Sequence, residues 1–222
     1  MIGVSTRIAA ALKALIAVTA FAGASAHGAA LTISVLDSRN QPVPDAVITV
    51  TAPGAPPASA SAPPPAVMDQ VAKAFVPAVL VVHTGTAVIF PNSDSVAHQV
   101  YSFSPTKRFE LGLYRGHPYD PVVFDRPGLV VLGCNIHDNM VGYIFVTDAP
   151  YFGKSDGNGT WRSDALPAAE YDVAVWSARL TGKMDATRTR VKLDDGSRSL
   201  QVRLPEPLRA AVTQERNARG RY

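Results

Sequence analysis

The sequence contains the stretch Gly133-Cys134-Asn135-Ile136-His137-Asp138-Asn139-Met140. It holds the only cysteine of the 222-residue chain, followed at three-residue intervals by a histidine and a methionine. A thiolate, an imidazole and a thioether form a ligand set that favours copper when a second histidine joins it. The stretch therefore predicts a copper site, provided that another part of the chain supplies that histidine.

Apolar and polar residues alternate on both sides of this stretch, which indicates β-strands. The alternation at 31–36 and 46–50 is interrupted by turn residues and predicts a hairpin, and that at 187–193 and 199–204 predicts another. Residues 104–121 carry proline, glycine and mixed polarity, and they predict a long loop. With 18 prolines, 16 glycines and few helical patterns, the chain is expected to be all-β.

The second histidine is expected to be His98. A predicted strand ends at Phe90, and His98 follows eight residues later, just before another alternating segment. Copper sites that transfer electrons place two histidines and a cysteine in a plane, with a methionine at a longer distance. The spacing of histidine, cysteine, histidine and methionine along this chain agrees with such a site.

These residues belong to a longer pattern that covers 70–147. Its motifs are Phe75-x-Pro77, Gly85-x-x-Val88-x-Phe90-x-Asn92, His98 and Pro127-Gly128-x5-Cys134-x-x-His137-x-x-Met140. With these motifs, the pattern resembles the cupredoxin (plastocyanin- and azurin-like) family. The spacing of the cysteine loop is similar to that of amicyanin, and the longer pattern is most similar to exported cupredoxin proteins labelled methylamine utilization proteins.

The resemblance implies a type 1 (blue) copper site that holds one copper ion and cycles between Cu+ and Cu2+. It implies His98, Cys134 and His137 as equatorial ligands and Met140 as the axial ligand. Gln99 stands where the family has asparagine after the first histidine. Further residues are expected around the ligands, where outer hydrogen bonds tune a metal site: Asn92, Gln99 and Asn135.

The resemblance also implies a redox partner protein, which we expect to be a cytochrome or a dehydrogenase. Asp138 and Asn139 replace the proline and the aromatic residue of amicyanin-like loops, so the docking surface beside His137 is expected to be polar. Lys107 and Arg108 are candidates for a basic part of that surface.

The segments on either side of the copper pattern both resemble a second kind of β-domain. The motif Val-x-Asp37-x-x-x-Gln41-Pro-Val-x-Asp45 and the turn Asp156-Gly-Asn-Gly159 are similar to a carboxypeptidase regulatory-like (immunoglobulin- or transthyretin-like) β-sandwich. A lone hairpin is only marginally stable, so the first segment is expected to pair with 157–204. We predict a Greek-key cupredoxin sandwich inserted in, or flanked by, this second sandwich. The predicted division is 27–52 plus 154–204 for the split sandwich, 53–66 for a Pro/Ala-rich linker and 67–150 for the cupredoxin domain.

Residues 1–26 have the features of a signal peptide. Arg7 and Lys13 supply the positive start before the short apolar run at 14–22, and Ala24-Ser25-Ala26 is typical of a cleavage site. We therefore expect a periplasmic or secreted protein, cut near Ala26, with no membrane span. Residues 205–222 form a basic tail without an apolar face, which is expected to be disordered.

Composition limits the other functions. The formal net charge is +3, and it falls to +1 without Arg7 and Lys13, which gives no support for nucleic-acid binding. Five histidines are too few for the clusters of a multicopper oxidase, and one cysteine cannot build a binuclear thiolate-bridged centre. The leading hypothesis is an electron carrier rather than an enzyme. Two alternatives are a copper-binding or delivery protein, and a structural or adhesion module in which copper is dispensable.

Overall fold

The computed structural model describes residues 28–54, 63–116, 119–180, 187–194, 196–205 and 208–209. The predicted signal peptide, most of the predicted linker and most of the C-terminal tail lie outside these residues. Every regular element in the described part is a β-strand, which confirms the all-β class. No helix there is long and apolar enough to cross a membrane.

The described residues form seventeen strands in five sheets. They are β1 (Ala29–Leu36), β2 (Val47–Thr51), β3 (Ala66–Val67), β4 (Asp69–Val71), β5 (Ala74–Val76), β6 (Val79–His83), β7 (Thr86–Ile89), β8 (His98–Ser104), β9 (Lys107–Tyr114), β10 (Val122–Phe124), β11 (Gly128–Gly133), β12 (Val141–Thr147), β13 (Tyr151–Lys154), β14 (Thr160–Leu166), β15 (Ala169–Trp176), β16 (Thr187–Leu193) and β17 (Arg198–Arg203).

Strands that precede the middle of the chain and strands that follow it lie together in two sheets. One sheet has the order β14-β1-β17 and the other the order β13-β2-β15-β16. Strand β1 runs antiparallel to β14 and parallel to β17, while β2 lies between β13 and β15. Every second residue of β1 is buried, so Leu31, Ile33 and Val35 enter the common core. Strands from both sides of the middle segment therefore build one sandwich, which we call the flanking sandwich.

The two predicted hairpins of this region are wrong. Strands β1 and β2 lie in different sheets, and so do β16 and β17. In each case the chain crosses from one sheet to the sheet that faces it, so both apolar faces point into one core. Alternation identifies a strand and its buried face, but it does not identify the neighbour to which the strand is hydrogen-bonded.

The middle of the chain forms a second unit around its own core. A five-stranded sheet of order β6-β12-β11-β8-β9 faces a three-stranded sheet of order β10-β7-β3, with the hairpin β4-β5 beside them. The largest side chains of the core are fully buried: Phe75, Phe90, Phe124, Leu132 and Ile144. We call this unit the central sandwich.

The predicted loop at 104–121 is also wrong, because it contains β9. This strand pairs with β8 in antiparallel register through a tight turn at Pro105-Thr106. Phe109 and Leu111 alternate with polar residues and pack on the central core. This short alternation indicates a strand. It was not predicted because Pro105 before it and Gly112 within it are typical of loops.

The two sandwiches pack directly against each other. Trp176 of β15 is buried, and the centre of its ring lies 5.7 Å from that of Tyr143 and 5.6 Å from that of Phe145, both on β12. Val79 of β6 also belongs to the core of the flanking sandwich. One outer face of the five-stranded sheet is thus covered by the flanking sandwich. The boundaries predicted for the two domains remain a prediction.

Candidate metal centre

Two neighbouring strands bring the candidate ligands together. His98 is the first residue of β8, and Cys134 follows the last residue of β11. These strands are antiparallel neighbours, with Gly133 opposite Tyr101, so the start of one lies beside the end of the other. The connection from β11 to β12 then supplies His137 and Met140, and the backbone N–H of Met140 donates to the carbonyl of His137 at 2.9 Å.

Three of the four predicted ligands form a compact cluster. One ligand-capable atom from each of His98, Cys134 and His137 lies within 4.8 Å of the other two. Nδ1 of His98 is 3.9 Å from Sγ of Cys134, and the centres of the two imidazole rings are 4.9 Å apart. His98 is fully buried, Cys134 is 4% exposed and His137 is half-buried. The arrangement of two histidines and a cysteine could hold one metal ion.

His137 provides a test of whether these residues fit a metal. Its Nδ1 atom is buried and has no hydrogen-bond partner among the described residues, which is costly for a polar atom. The pKa of His137 is lowered, first by burial and then by the neighbouring His98 and Lys73. A neutral imidazole has a nitrogen lone pair available for a metal, so the unpaired atom and the donor set fit a soft or borderline metal ion.

Met140 lies in the same core cluster as Cys134. Its side chain is 1% exposed, although it belongs to a loop whose neighbours Asp138 and Asn139 are exposed. A buried thioether at the end of a surface loop agrees with the predicted axial position. Its role as a ligand stays a prediction.

Asp94 belongs to the site although the sequence reasoning missed it. Its Oδ2 atom lies 3.0 Å from Nε2 of His98, so the Nε2–H group donates to the carboxylate. This leaves the lone pair of Nδ1 on the side of Cys134. A carboxylate four residues before a candidate ligand histidine was the signal that could have revealed it, since ligand histidines commonly donate their other N–H to a carboxylate.

The charge state of Asp94 agrees with this role. Burial acts to raise the pKa of Asp94, but hydrogen bonds from His98 and from the backbone N–H groups of Lys73 and Ser95 lower it below its ordinary value. The carboxylate is therefore ionised at neutral pH and accepts hydrogen bonds only.

The three residues predicted to surround the ligands all make structural hydrogen bonds. Asn92 is buried, and its amide donates to the carbonyls of Val96 at 3.0 Å and Tyr114 at 2.9 Å. Asn135 donates to the side-chain carbonyl of Gln99 at 2.8 Å, which ties the cysteine loop to β8. Gln99 thus provides a brace between β8 and the cysteine loop. The influence of these residues on a bound metal stays a prediction.

The structure does not bring the four predicted docking residues together. Asp138 and Asn139 are exposed beside His137, but Lys107 and Arg108 lie at the far end of the β8–β9 hairpin. Six residues of strand separate that end from His98, about 20 Å at roughly 3.3 Å per residue. Lys107 also pairs with Asp125 at 3.1 Å. Any docking role of Lys107 and Arg108 would belong to a surface away from His137.

Fold and site together define an all-β protein with a histidine–cysteine–histidine cluster at one end of a sandwich, where His98 and Cys134 are buried and His137 is half-buried. The sequence matches no known family profile and no curated protein. Among solved structures, the chain is similar to a reduced amicyanin mutant, with 20% identity over 45% of this chain and 99% of that one and a TM-score of 0.34. It is similar to a purple cupredoxin from Nitrosopumilus maritimus, with 24% identity over 37% of this chain and 99% of that one and a TM-score of 0.32. A copper-containing nitrite reductase from Thermus scotoductus SA-01 shows 26% identity over 51% of this chain and 28% of that one, with a TM-score of 0.36.

Proposed function

We propose that this chain is a type 1 copper protein of the cupredoxin kind, which carries single electrons. One copper ion would be held by His98, Cys134 and His137, with Met140 as the axial ligand. The observation that supports the proposal most is the buried Nδ1 of His137, which has no hydrogen-bond partner in the described part of the chain and lies beside a buried thiol and a buried imidazole.

Copper would supply the one-electron couple between Cu+ and Cu2+, and no substrate bond would be made or broken. The residues of the chain would bind the ion and fix its surroundings. Cys134 offers a thiolate, which suits both oxidation states, and the histidines offer neutral nitrogen donors. Asp94 fixes the ring of His98 through its Nε2–H group. Burial of His98, Cys134 and Met140 within a β-sheet frame limits access of water and restricts movement of the ligands when the charge changes.

The absorption spectrum of the purified protein with Cu(II) tests this proposal, with Cys134→Ser as the paired variant. We expect an intense thiolate-to-copper charge-transfer band in the parent and none in the variant. Because serine is close in size to cysteine, the variant should remain folded, which circular dichroism checks. A folded parent protein that binds Cu(II) without this band would exclude a type 1 site.

We propose an electron carrier rather than an enzyme or a copper-delivery protein. A carrier keeps its metal while it changes oxidation state, whereas a delivery protein must release the metal. Repeated reduction and reoxidation by a small redox carrier, followed by measurement of bound copper, separates the two. Loss of copper during each cycle would favour delivery, and unchanged folding and stability without any bound copper would favour a structural module.

We also propose that the protein is exported and meets a cytochrome or a dehydrogenase outside the cytoplasm. The features of 1–26 support export, with cleavage near Ala26. Under this proposal the central sandwich is a cupredoxin domain inserted into a carboxypeptidase regulatory-like sandwich, which the shared sheets of β1, β2 and β13–β17 support. N-terminal sequencing of the protein recovered from the periplasm or medium tests the export. An uncut chain retained in the cytoplasm would refute it.

A further inference from the structure

The hairpin β4-β5 has an unusual turn. Its two connecting residues, Ala72 and Lys73, have φ angles of 50° and 59°. Two-residue hairpin turns with positive φ at both positions strongly favour asparagine and glycine, since a side chain disfavours this region. Strained residues of this kind persist where the surrounding structure fixes them, and they cluster at functional sites.

The hairpin is attached to the segment that leads to His98. The backbone N–H of Gln70 donates to the carbonyl of Pro91 at 3.2 Å, and that of Ser93 donates to the carbonyl of Gln70 at 3.1 Å. The hydroxyl of Ser93 also donates to the carboxylate of Asp69 at 2.8 Å. On its other side, Phe75 is fully buried in the central core. The position of the turn is therefore set from both sides.

The turn points one backbone group at the site. The N–H of Lys73 donates to Oδ2 of Asp94 at 2.7 Å, and the same oxygen accepts the Nε2–H of His98 at 3.0 Å. The other oxygen of Asp94 accepts the N–H of Ser95 at 2.7 Å. The carboxylate thus accepts two backbone N–H groups, the imidazole N–H and, at 3.5 Å, the hydroxyl of Ser95. If Lys73 took an extended conformation instead, this N–H would no longer face Asp94.

We infer that the strained Ala72–Lys73 turn is a positioning device, which fixes Asp94 through the N–H of Lys73 and thereby fixes the ring of His98. The acting group is the backbone of Lys73 and not its ammonium group. The expected effect of the turn on a bound metal rests on the proposed copper function, whereas its effect on His98 is present in the metal-free protein.

The sharpest test replaces the peptide bond before Lys73 by an ester, so that the N–H is lost and the side chain is kept. In the metal-free protein we expect hydrogen exchange of the His98 Nε2 proton to accelerate by about tenfold or more, the order expected for loss of one hydrogen bond to a charged group. In the copper-loaded protein we expect the reduction potential to rise, because a less fixed carboxylate stabilises Cu2+ less. The matched control is Lys73→Gln, which keeps the N–H and should leave the exchange rate of His98 unchanged.

Hydrogen exchange of the Lys73 amide tests the same bond if the ester variant fails to fold. In the parent protein this amide should be protected although the turn is exposed, and Asp94→Asn should reduce its protection by about tenfold. An unprotected Lys73 amide, or an ester variant with the His98 exchange rate of the parent, would overturn the inference. Acceleration by Lys73→Gln equal to that of the ester would overturn it as well, since it would assign the effect to the side chain. These metal-free measurements decide the inference even if the protein proves to hold no type 1 copper.

Discussion

His98 is the residue on which the site depends most. It is fully buried, and its two ring nitrogens face different partners: Nδ1 faces the sulfur of Cys134 at 3.9 Å, and Nε2 faces Asp94 at 3.0 Å. A buried imidazole needs a partner for each polar atom that is not bound to a metal. Asp94 meets this need on one side, which leaves the other nitrogen free to serve as a ligand.

Asp94 should make the stability of the metal-free protein depend on pH in the acidic range. Its pKa in the folded state lies below the ordinary value of 3.8: burial opposes the shift, and the hydrogen bonds from His98, Lys73 and Ser95 outweigh it. The folded state therefore binds fewer protons than the unfolded state between these two pKa values, so stability rises with pH there. The contribution of Asp94 is complete above its unfolded pKa and is lost as the pH falls through its folded pKa.

Urea unfolding of the parent and of Asp94→Asn at several pH values measures this contribution. At neutral pH we expect the variant to be less stable by about 2 kcal/mol, the scale of a hydrogen bond to a charged group. The difference should shrink below about pH 4, the ordinary range of a carboxyl group. A difference that stays constant from neutral to acidic pH would show that the charge of Asp94 does not contribute.

At the scale of elements, the sequence predicts where the strands lie in the chain better than it predicts which strands are hydrogen-bonded to each other. Alternation placed β1, β2, β16 and β17 nearly where they lie, because burial on one face of a sheet leads to an apolar residue at every second position. The pairing of β1 with β17 joins residues far apart in the chain, and no local pattern encodes it. The same holds for the site: the spacing of Cys134 and His137 could be read directly, whereas the contact between the β4–β5 turn and Asp94 depends on packing.

Gly142 of β12 shows how closely the β4–β5 hairpin is packed. A Cβ atom at this position would lie 2.8 Å from Cβ of Phe75 and 2.9 Å from its ring, and Phe75 is fully buried. Gly142→Ala should therefore destabilise the protein by about 1–3 kcal/mol, the usual cost of overpacking. Gly157→Ala is the matched control, because a Cβ atom added there would meet nothing within 4 Å. Urea unfolding measures both, and an equal effect of the two substitutions would contradict the tight contact.

At the scale of the whole molecule, the central sandwich and the flanking sandwich share a buried contact and two chain crossings. The chain leaves the flanking sandwich after β2 and returns to it at β13, which pairs with β2. At the other end of this strand pair, the hydroxyl of Ser155 ties the chain after β13 to the chain before β2: it donates to the carbonyl of Val43 at 2.7 Å and accepts the N–H of Ala46 at 3.0 Å. The contact of the buried Trp176 ring with Tyr143 and Phe145 then fixes the position of one sandwich relative to the other.

Trp176 should couple the unfolding of the two sandwiches. It is 1% exposed and contacts Tyr143 and Phe145 of the central sandwich, so Trp176→Ala should cost about 3–5 kcal/mol. Its indole N–H is buried without a hydrogen-bond partner in the described part of the chain. Trp176→Phe keeps an aromatic ring and removes this unpaired group, so it should cost clearly less than the alanine variant.

Calorimetry of the metal-free protein, together with near-ultraviolet circular dichroism, measures the coupling. We expect one cooperative transition in the parent and in Trp176→Phe, and two separate transitions in Trp176→Ala, because the cavity removes the contact that joins the sandwiches. A single transition in Trp176→Ala at the unfolding temperature of the parent protein would show that the aromatic contact does not couple the two sandwiches. In that case the two chain crossings between the sandwiches would be sufficient to make them unfold as one.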